Sequence, residues 1–192
     1  YYYKPALKLI KWVLQQDLIG EVRQATIGKR FTQASSGWKS GYGALLEGGV
    51  HFVAFGADLF DGELRRVSAE FPGAVAGEPE RNSLVRVEYA DGAELLLRYA
   101  WNAFTLAQGT FQHSHIVGTA GQVVFESNGI YVWLKGRRKR LYFPGFGDMM
   151  GYGGMVRDFM ACLAEPARRP YSGFSRAERD LGIVFSAYEG LA

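Results

Sequence analysis

From residue 82 to residue 143 the sequence is cut by short turn signals: Asp91-Gly92, Gly118-Thr119-Ala120-Gly121, Asn128-Gly129 and Gly136. Between them the residues alternate with period two. Val85, Val87 and Tyr89 interleave with Leu84, Arg86 and Glu88, and the segment after Asp91-Gly92 continues through Leu95, Leu97, Tyr99 and Trp101. Side chains on a strand point to opposite faces in turn, so this alternation predicts strands with one buried face. A parallel connection needs a crossover of about a dozen residues or more, and these connections are too short for one. The middle of the chain is therefore constrained to a mainly antiparallel, meandering sheet, with further strands expected over residues 65–71, 110–117, 122–126, 130–135 and 139–143.

Helical patterns flank this block. Pro5 at a first helical position, followed by Leu7, Leu9, Ile10, Val13 and Leu14, predicts a helix over 5–16 and then a strand over 21–31. A Gly-rich loop delivers the chain to a second helix within 43–60, and two more helices are expected over 155–163 and 175–191. Ser175 with Glu178 three residues on has the form of a capping box that would fix the start of the last one. Helices first, strands in the middle and helices last define an α+β domain, an open sheet with its helices on one face. Its 192 residues suffice for one domain, residues 1–192.

Composition excludes several function classes. No apolar run approaches the roughly 18 residues of a membrane span. The single cysteine, Cys162, cannot form an internal disulfide and reads as a buried small side chain in a reducing, cytoplasmic compartment. Net charge is only +3, and the one dense basic cluster, Arg137-Arg138-Lys139-Arg140, reads as a solvated turn, not as a nucleic-acid surface. The start at Tyr1-Tyr2-Tyr3 and the stop at Ala192 inside an amphipathic pattern read as a piece of a longer chain.

The chemistry concentrates in the second helix. Glu47 and His51 are one helical turn apart, and a carboxylate beside an imidazole orients the ring and raises its proton affinity, one way to prepare a general acid or base. Such a pair is also common on solvated helix faces, but Gly41, Gly43, Gly48 and Gly49 surround it, and each helical glycine costs about 1 kcal/mol relative to alanine. Something must approach the backbone closely there. The loop before this helix carries Trp38, Lys39 and Tyr42, candidate substrate contacts or core anchors. No Gly-x-Gly-x-x-Gly follows a strand and no phosphate-binding Gly-Lys-Ser/Thr loop occurs, so the chain has no recognisable dinucleotide site. His113 and His115 share a strand face without an obvious third ligand, so no metal site is assigned.

The order of these segments resembles the C-terminal domain of the glucose-fructose oxidoreductase/inositol dehydrogenase family, Gfo/Idh/MocA. Four segments carry the resemblance: Tyr3-Lys4-Pro5 with the helix and Leu18-Ile19-Gly20-Glu21-Val22; the stretch from Gly43 through Glu47 to His51; Ile116-Val117-Gly118-Thr119-Ala120-Gly121; and Arg157-Asp158-Phe159 with the Ser175 helix. The resemblance implies a substrate-binding and oligomerisation domain of an NAD- or NADP-dependent oxidoreductase acting on a sugar, polyol or related hydroxy compound. The cofactor would bind the intact protein, with none on this piece alone, and the sheet face would join copies into a dimer or tetramer. The same resemblance implies that His51 corresponds to the family's active-site histidine and Glu47 to its partner aspartate. Lys4 belongs to the opening segment and does not match the family's catalytic lysine. Glu47 is one methylene longer than the aspartate, and Ala54 stands where many members are acidic, with Asp58 a turn further on as a partial substitute. These departures motivate an alternative, an inactive ligand-binding or dimerisation module of the same fold.

Overall fold

The period-two pattern folds as an eight-stranded sheet in a computed structural model that describes residues 1–34, 36–105 and 109–190; the side chains of Trp38 and Lys39 lie outside the description. The strands are β1 (Val22–Arg30), β2 (Leu64–Glu70), β3 (Asn82–Tyr89), β4 (Glu94–Ala100), β5 (His113–Gly118), β6 (Gly121–Glu126), β7 (Val132–Lys135) and β8 (Lys139–Tyr142). Their order is β2-β3-β4-β1-β5-β6-β7-β8. Every neighbouring pair is antiparallel except β1 with β4, because β1 comes from the N-terminal part of the chain and inserts between two halves of the meander. Ala25, Ile27, Val85, Val87, Leu95, Leu97, Ile116 and Leu134 fill the inner face, while Leu84, Val117, Trp133 and Leu141 stand exposed on the alternate register.

Among the described residues four α-helices accompany the sheet: α1 (Pro5–Gln15), α2 (Val50–Ala57), α3 (Tyr152–Ala164) and α4 (Phe174–Glu189). Pro5 lies at the start of α1 as its fixed φ favours, and the spacing of Leu7, Ile10 and Val13 buries all three, each contributing about 1.5–3 kcal/mol. Helix α2 is apolar nearly all round and packs between the sheet and α4. Phe55 stacks on Phe125 with centroids 5.4 Å apart, and Gly56 lets the helix backbone settle onto Leu95 and Ile27.

Three expectations are corrected. The helix over 43–60 is not one regular helix: residues Leu45–Gly49 form a π-helical turn that runs into α2. Helix α4 starts at Phe174 with Gly173 as its N-cap and without a side-chain cap bond, so Ser175 is already inside the helix and forms no capping box. Cys162 is partly exposed, because α3 buries only Gly154 along its length. No helix among the described residues is long and apolar enough to cross a membrane.

The π turn has a packing cause. A Cβ at Gly48 would overlap the Tyr99 hydroxyl, and one at Gly43 would overlap the Glu80 carboxylate. That carboxylate accepts the Leu45 N–H at 2.7 Å and the Tyr188 hydroxyl at 2.8 Å, which anchors the turn to α4. Gly48→Ala should therefore destabilise the domain by about 1–3 kcal/mol through overpacking, and Tyr99→Phe in the same chain should recover part of the loss; urea unfolding of the four proteins of the cycle measures both.

Candidate active site

The π turn and α2 carry Glu47 and His51 at the end of the molecule where the chain begins. His51 is exposed at its edge, and one ring face is covered by Tyr1, stacked with centroids 4.8 Å apart and planes 4° from parallel. Tyr1 is itself held edge-on against Phe52, the neighbour of His51 on α2. Glu47 is half-buried and close enough to favour the protonated ring. The sequence leads one to expect a raised proton affinity at His51, and the structure reverses this. Partial burial is the largest influence and holds the imidazole below its ordinary value; Lys4 acts in the same direction, and Glu47 opposes them. A neutral imidazole near neutral pH is a proton acceptor, the form a general base requires.

Beneath Tyr1 lies a buried polar group that sequence reasoning missed. Lys4 is 2% exposed, places its ammonium 4.4 Å from the Tyr1 ring centroid, and donates to the Asn128 carbonyl at 2.8 Å. Lys29, also buried, donates to Asn128 Oδ1 at 2.8 Å and to the Gly109 carbonyl at 2.7 Å. Glu126, fully buried at the end of β6, accepts from Asn128 N at 2.8 Å and Asn128 Nδ2 at 3.0 Å. Burial pulls Lys4 down to about 8, against the attraction of Glu126 and with the repulsion of Lys29. One signal was available: Lys29 shares the inward register of Ala25 and Ile27 on β1. Lys4 gave none, since a lysine before a helix usually reads as solvated.

The remaining sequence candidates divide. The segment Gly37–Gly41 is a 3₁₀ turn that leads through residues 42–44 to the π turn, and Tyr42 follows it with an exposed ring. The side chains of Trp38 and Lys39 fall outside the described residues. Asp58 does not stand in for an acidic residue beside His51. It is buried and accepts from Arg176, from Lys11 at 2.9 Å and from the Tyr171 hydroxyl at 2.7 Å, so it ties α1 and α4 to the end of α2. Ala54 is buried in the core. His113 approaches the Tyr131 hydroxyl, and among the described residues no group of three or more His, Cys, Asp or Glu could hold a metal ion. In the basic cluster Arg137 pairs with Asp17 at 2.8 Å and Arg140 lies over Tyr142, so two of its cations are engaged locally.

The sequence profile of the GFO/IDH/MocA C-terminal domain matches residues 7–124, more than half of the chain, and the chain belongs to that family. No curated protein matches its sequence. Among solved structures, an oxidoreductase from Agrobacterium radiobacter in complex with NAD+, L-tartaric acid and magnesium is similar at 15% identity and a TM-score of 0.82, covering 99% of this chain and 60% of that one. Aldose-aldose oxidoreductase from Caulobacter crescentus complexed with glycerol is similar at 16% identity and 0.83, over 98% and 59%. An NAD-binding oxidoreductase from Klebsiella pneumoniae is similar at 14% identity and 0.84, over 99% and 62%. The likeness establishes the fold, and this chain spans about 60% of the length of those proteins.

The site makes one prediction that needs no substrate. An NMR titration of His51 should give a value below 6.5, and Glu47→Gln should lower it further, since Glu47 is the group that favours the protonated ring. A value above 6.5, or a rise on removing the carboxylate, would contradict the described electrostatics.

Proposed function

We propose that this chain is the substrate-binding and oligomerisation domain of a two-domain, NAD(P)-dependent oxidoreductase acting on a sugar, polyol or related hydroxy compound. The observation that carries the proposal is His51, held on the π turn and α2 with its ring kept neutral and its edge open, in a domain whose solved relatives are oxidoreductases. One of those relatives was solved with a hydroxy acid and another with glycerol, which supports a hydroxylated substrate.

A nicotinamide would supply the hydride acceptor. No Gly-x-Gly-x-x-Gly follows a strand in this sequence, and a separate nucleotide domain would hold the cofactor. The chain's own contribution is to the proton. His51 accepts it from the substrate hydroxyl as that carbon is oxidised and returns it in the reverse direction, so negative charge does not build up on oxygen. Glu47 stabilises the imidazolium once formed, and burial, with a smaller contribution from the charge of Lys4, favours the neutral resting ring. Trp38, Lys39 and Tyr42, on the loop entering the site, are assigned to substrate contact. The exposed sheet face with Leu84, Val117, Trp133 and Leu141 is assigned to association of copies.

The test is NAD and NADP reduction by the full-length protein over a panel of sugars, polyols and hydroxy acids. His51→Ala should cut turnover by roughly 10²–10⁴-fold on the substrate that works. Unchanged turnover would remove His51 from the mechanism. Absence of turnover on every compound, with nucleotide still bound, would favour the inactive ligand-binding module.

A further inference from the structure

Helices α1 and α3 meet through polar sides, where packed helices ordinarily present apolar ones. Lys8, Lys11 and Gln15 on α1 recur at i, i+3 and i+7, and Gly154, Arg157 and Asp158 on α3 at i, i+3 and i+4, so each set shares one side of its helix. With Arg168 and three tyrosines these sides line a cavity of about 460 Å³. Neither Glu47 nor His51 is in its walls.

The charges around this cavity do not balance. Lys8, Lys11, Arg157 and Arg168 are cationic, and Asp158 is the one carboxylate among the lining residues. Lys11 is neutralised by buried Asp58 at 2.9 Å and Arg168 by Asp158 at 3.1 Å. Lys8 and Arg157 form no ion pair among the described residues. Asp148, close to Arg157 beside Gly153, accepts the Gly154 N–H at 3.3 Å and does not line the cavity. The acceptors are used up as well. Asp158 also takes the Tyr3 hydroxyl at 2.6 Å and the Tyr171 N–H at 2.8 Å, and the Tyr171 hydroxyl donates to Asp58 while accepting from Lys11, each at 2.7 Å. Two cations and the Gln15 amide are left to face a ligand. The Lys8 ammonium has a defined place: it lies 5.7 Å from the Tyr3 ring centroid, and a Cβ at Gly154 would come within 3.1 Å of it.

We infer that this cavity binds a phosphate dianion, either inorganic phosphate or the phosphate group of a small phosphorylated metabolite. A phosphate group carries about −1.5 to −2 charge at pH 7, which matches the two unpaired cations, and its oxygens accept what the walls donate. The arginine fork suits two phosphate oxygens at once, and a lysine beside it acts as a point charge. Tyr2, Tyr3 and Tyr171 supply ring surface for the organic part of an ester. The site stands independently of the oxidoreductase chemistry proposed at His51.

Calorimetric titration of the full-length protein with inorganic phosphate and with glucose 6-phosphate, at low salt, tests this against Arg157→Gln and Lys8→Gln. Both side chains are exposed, so neither substitution should unfold the domain. The wild type should bind at least one probe with millimolar or tighter affinity, and each substitution should weaken that binding about tenfold or more, as loss of a charge-assisted hydrogen bond does. Tighter binding of glucose 6-phosphate identifies an ester as the occupant, and equal affinities identify the free ion. Arg138→Gln, which removes an exposed cation outside the cavity, should leave both affinities unchanged. Absence of binding by either probe would overturn the site. So would binding that both cavity variants retain, which places the anion elsewhere, or equal weakening by Arg138→Gln, which reduces the effect to net charge.

Discussion

The close approach of the Leu45–Gly49 turn to Tyr99 is the constraint on which the rest of the site depends. Tyr99 sits on β4 next to the central strand β1, with its hydroxyl accepting the Trp101 indole N–H at 3.1 Å, and is nearly fully buried. Only a glycine at position 48 lets the helical backbone lie against that hydroxyl. The turn is then fixed from the other side by Glu80, which bonds Leu45 and Tyr188 at once. Between the two, α2 has one place to begin, and His51 emerges from its first turn at the edge of the domain. A catalytic side chain carried on a rigid helix over a sheet is held more precisely than one on a loop.

Electrostatics around this platform run against the simplest reading of a Glu/His pair. A carboxylate one turn away pulls a histidine toward protonation, yet burial outweighs it, and the charge of Lys4 adds in the same direction. The Tyr1 ring that covers His51 and the Lys4 charge are brought to α2 by the fold and not by proximity in sequence. Lys4 itself is kept below its usual range by the same burial, and its hydrogen bond to Asn128 links it to Lys29 and Glu126. The result is a buried polar floor, closed by Tyr1, directly beside a neutral imidazole.

Much of the fold was legible because it rests on local periodicity. The alternation through β3 and β4 and the Asp91-Gly92 turn stand where the pattern puts them, and so does Pro5 at the start of α1. What the sequence concealed is long-range. The parallel contact of β1 with β4 joins segments about seventy residues apart, and no turn signal encodes it. The π turn follows from Tyr99, fifty residues from Gly48, so the glycines announced a close approach without naming what approaches. Ser175 misled because a capping motif is only a local preference, and the N-cap of α4 lies two residues earlier, at Gly173. Asp58 misled for a different reason: helical spacing gives a face but not a partner, and Arg176, Lys11 and Tyr171 arrive from distant segments to claim it.

The proposed proton transfer depends on where a hydroxylated substrate binds relative to His51. The most direct measurement is a crystal structure of the full-length protein with oxidised nucleotide and a non-reacting substrate analogue. The account requires the reacting hydroxyl oxygen within about 2.6–3.2 Å of a His51 ring nitrogen, at the edge that Tyr1 leaves open. An analogue seated away from His51, for example in the cavity of about 460 Å³ between α1, α3 and Tyr171, would contradict it.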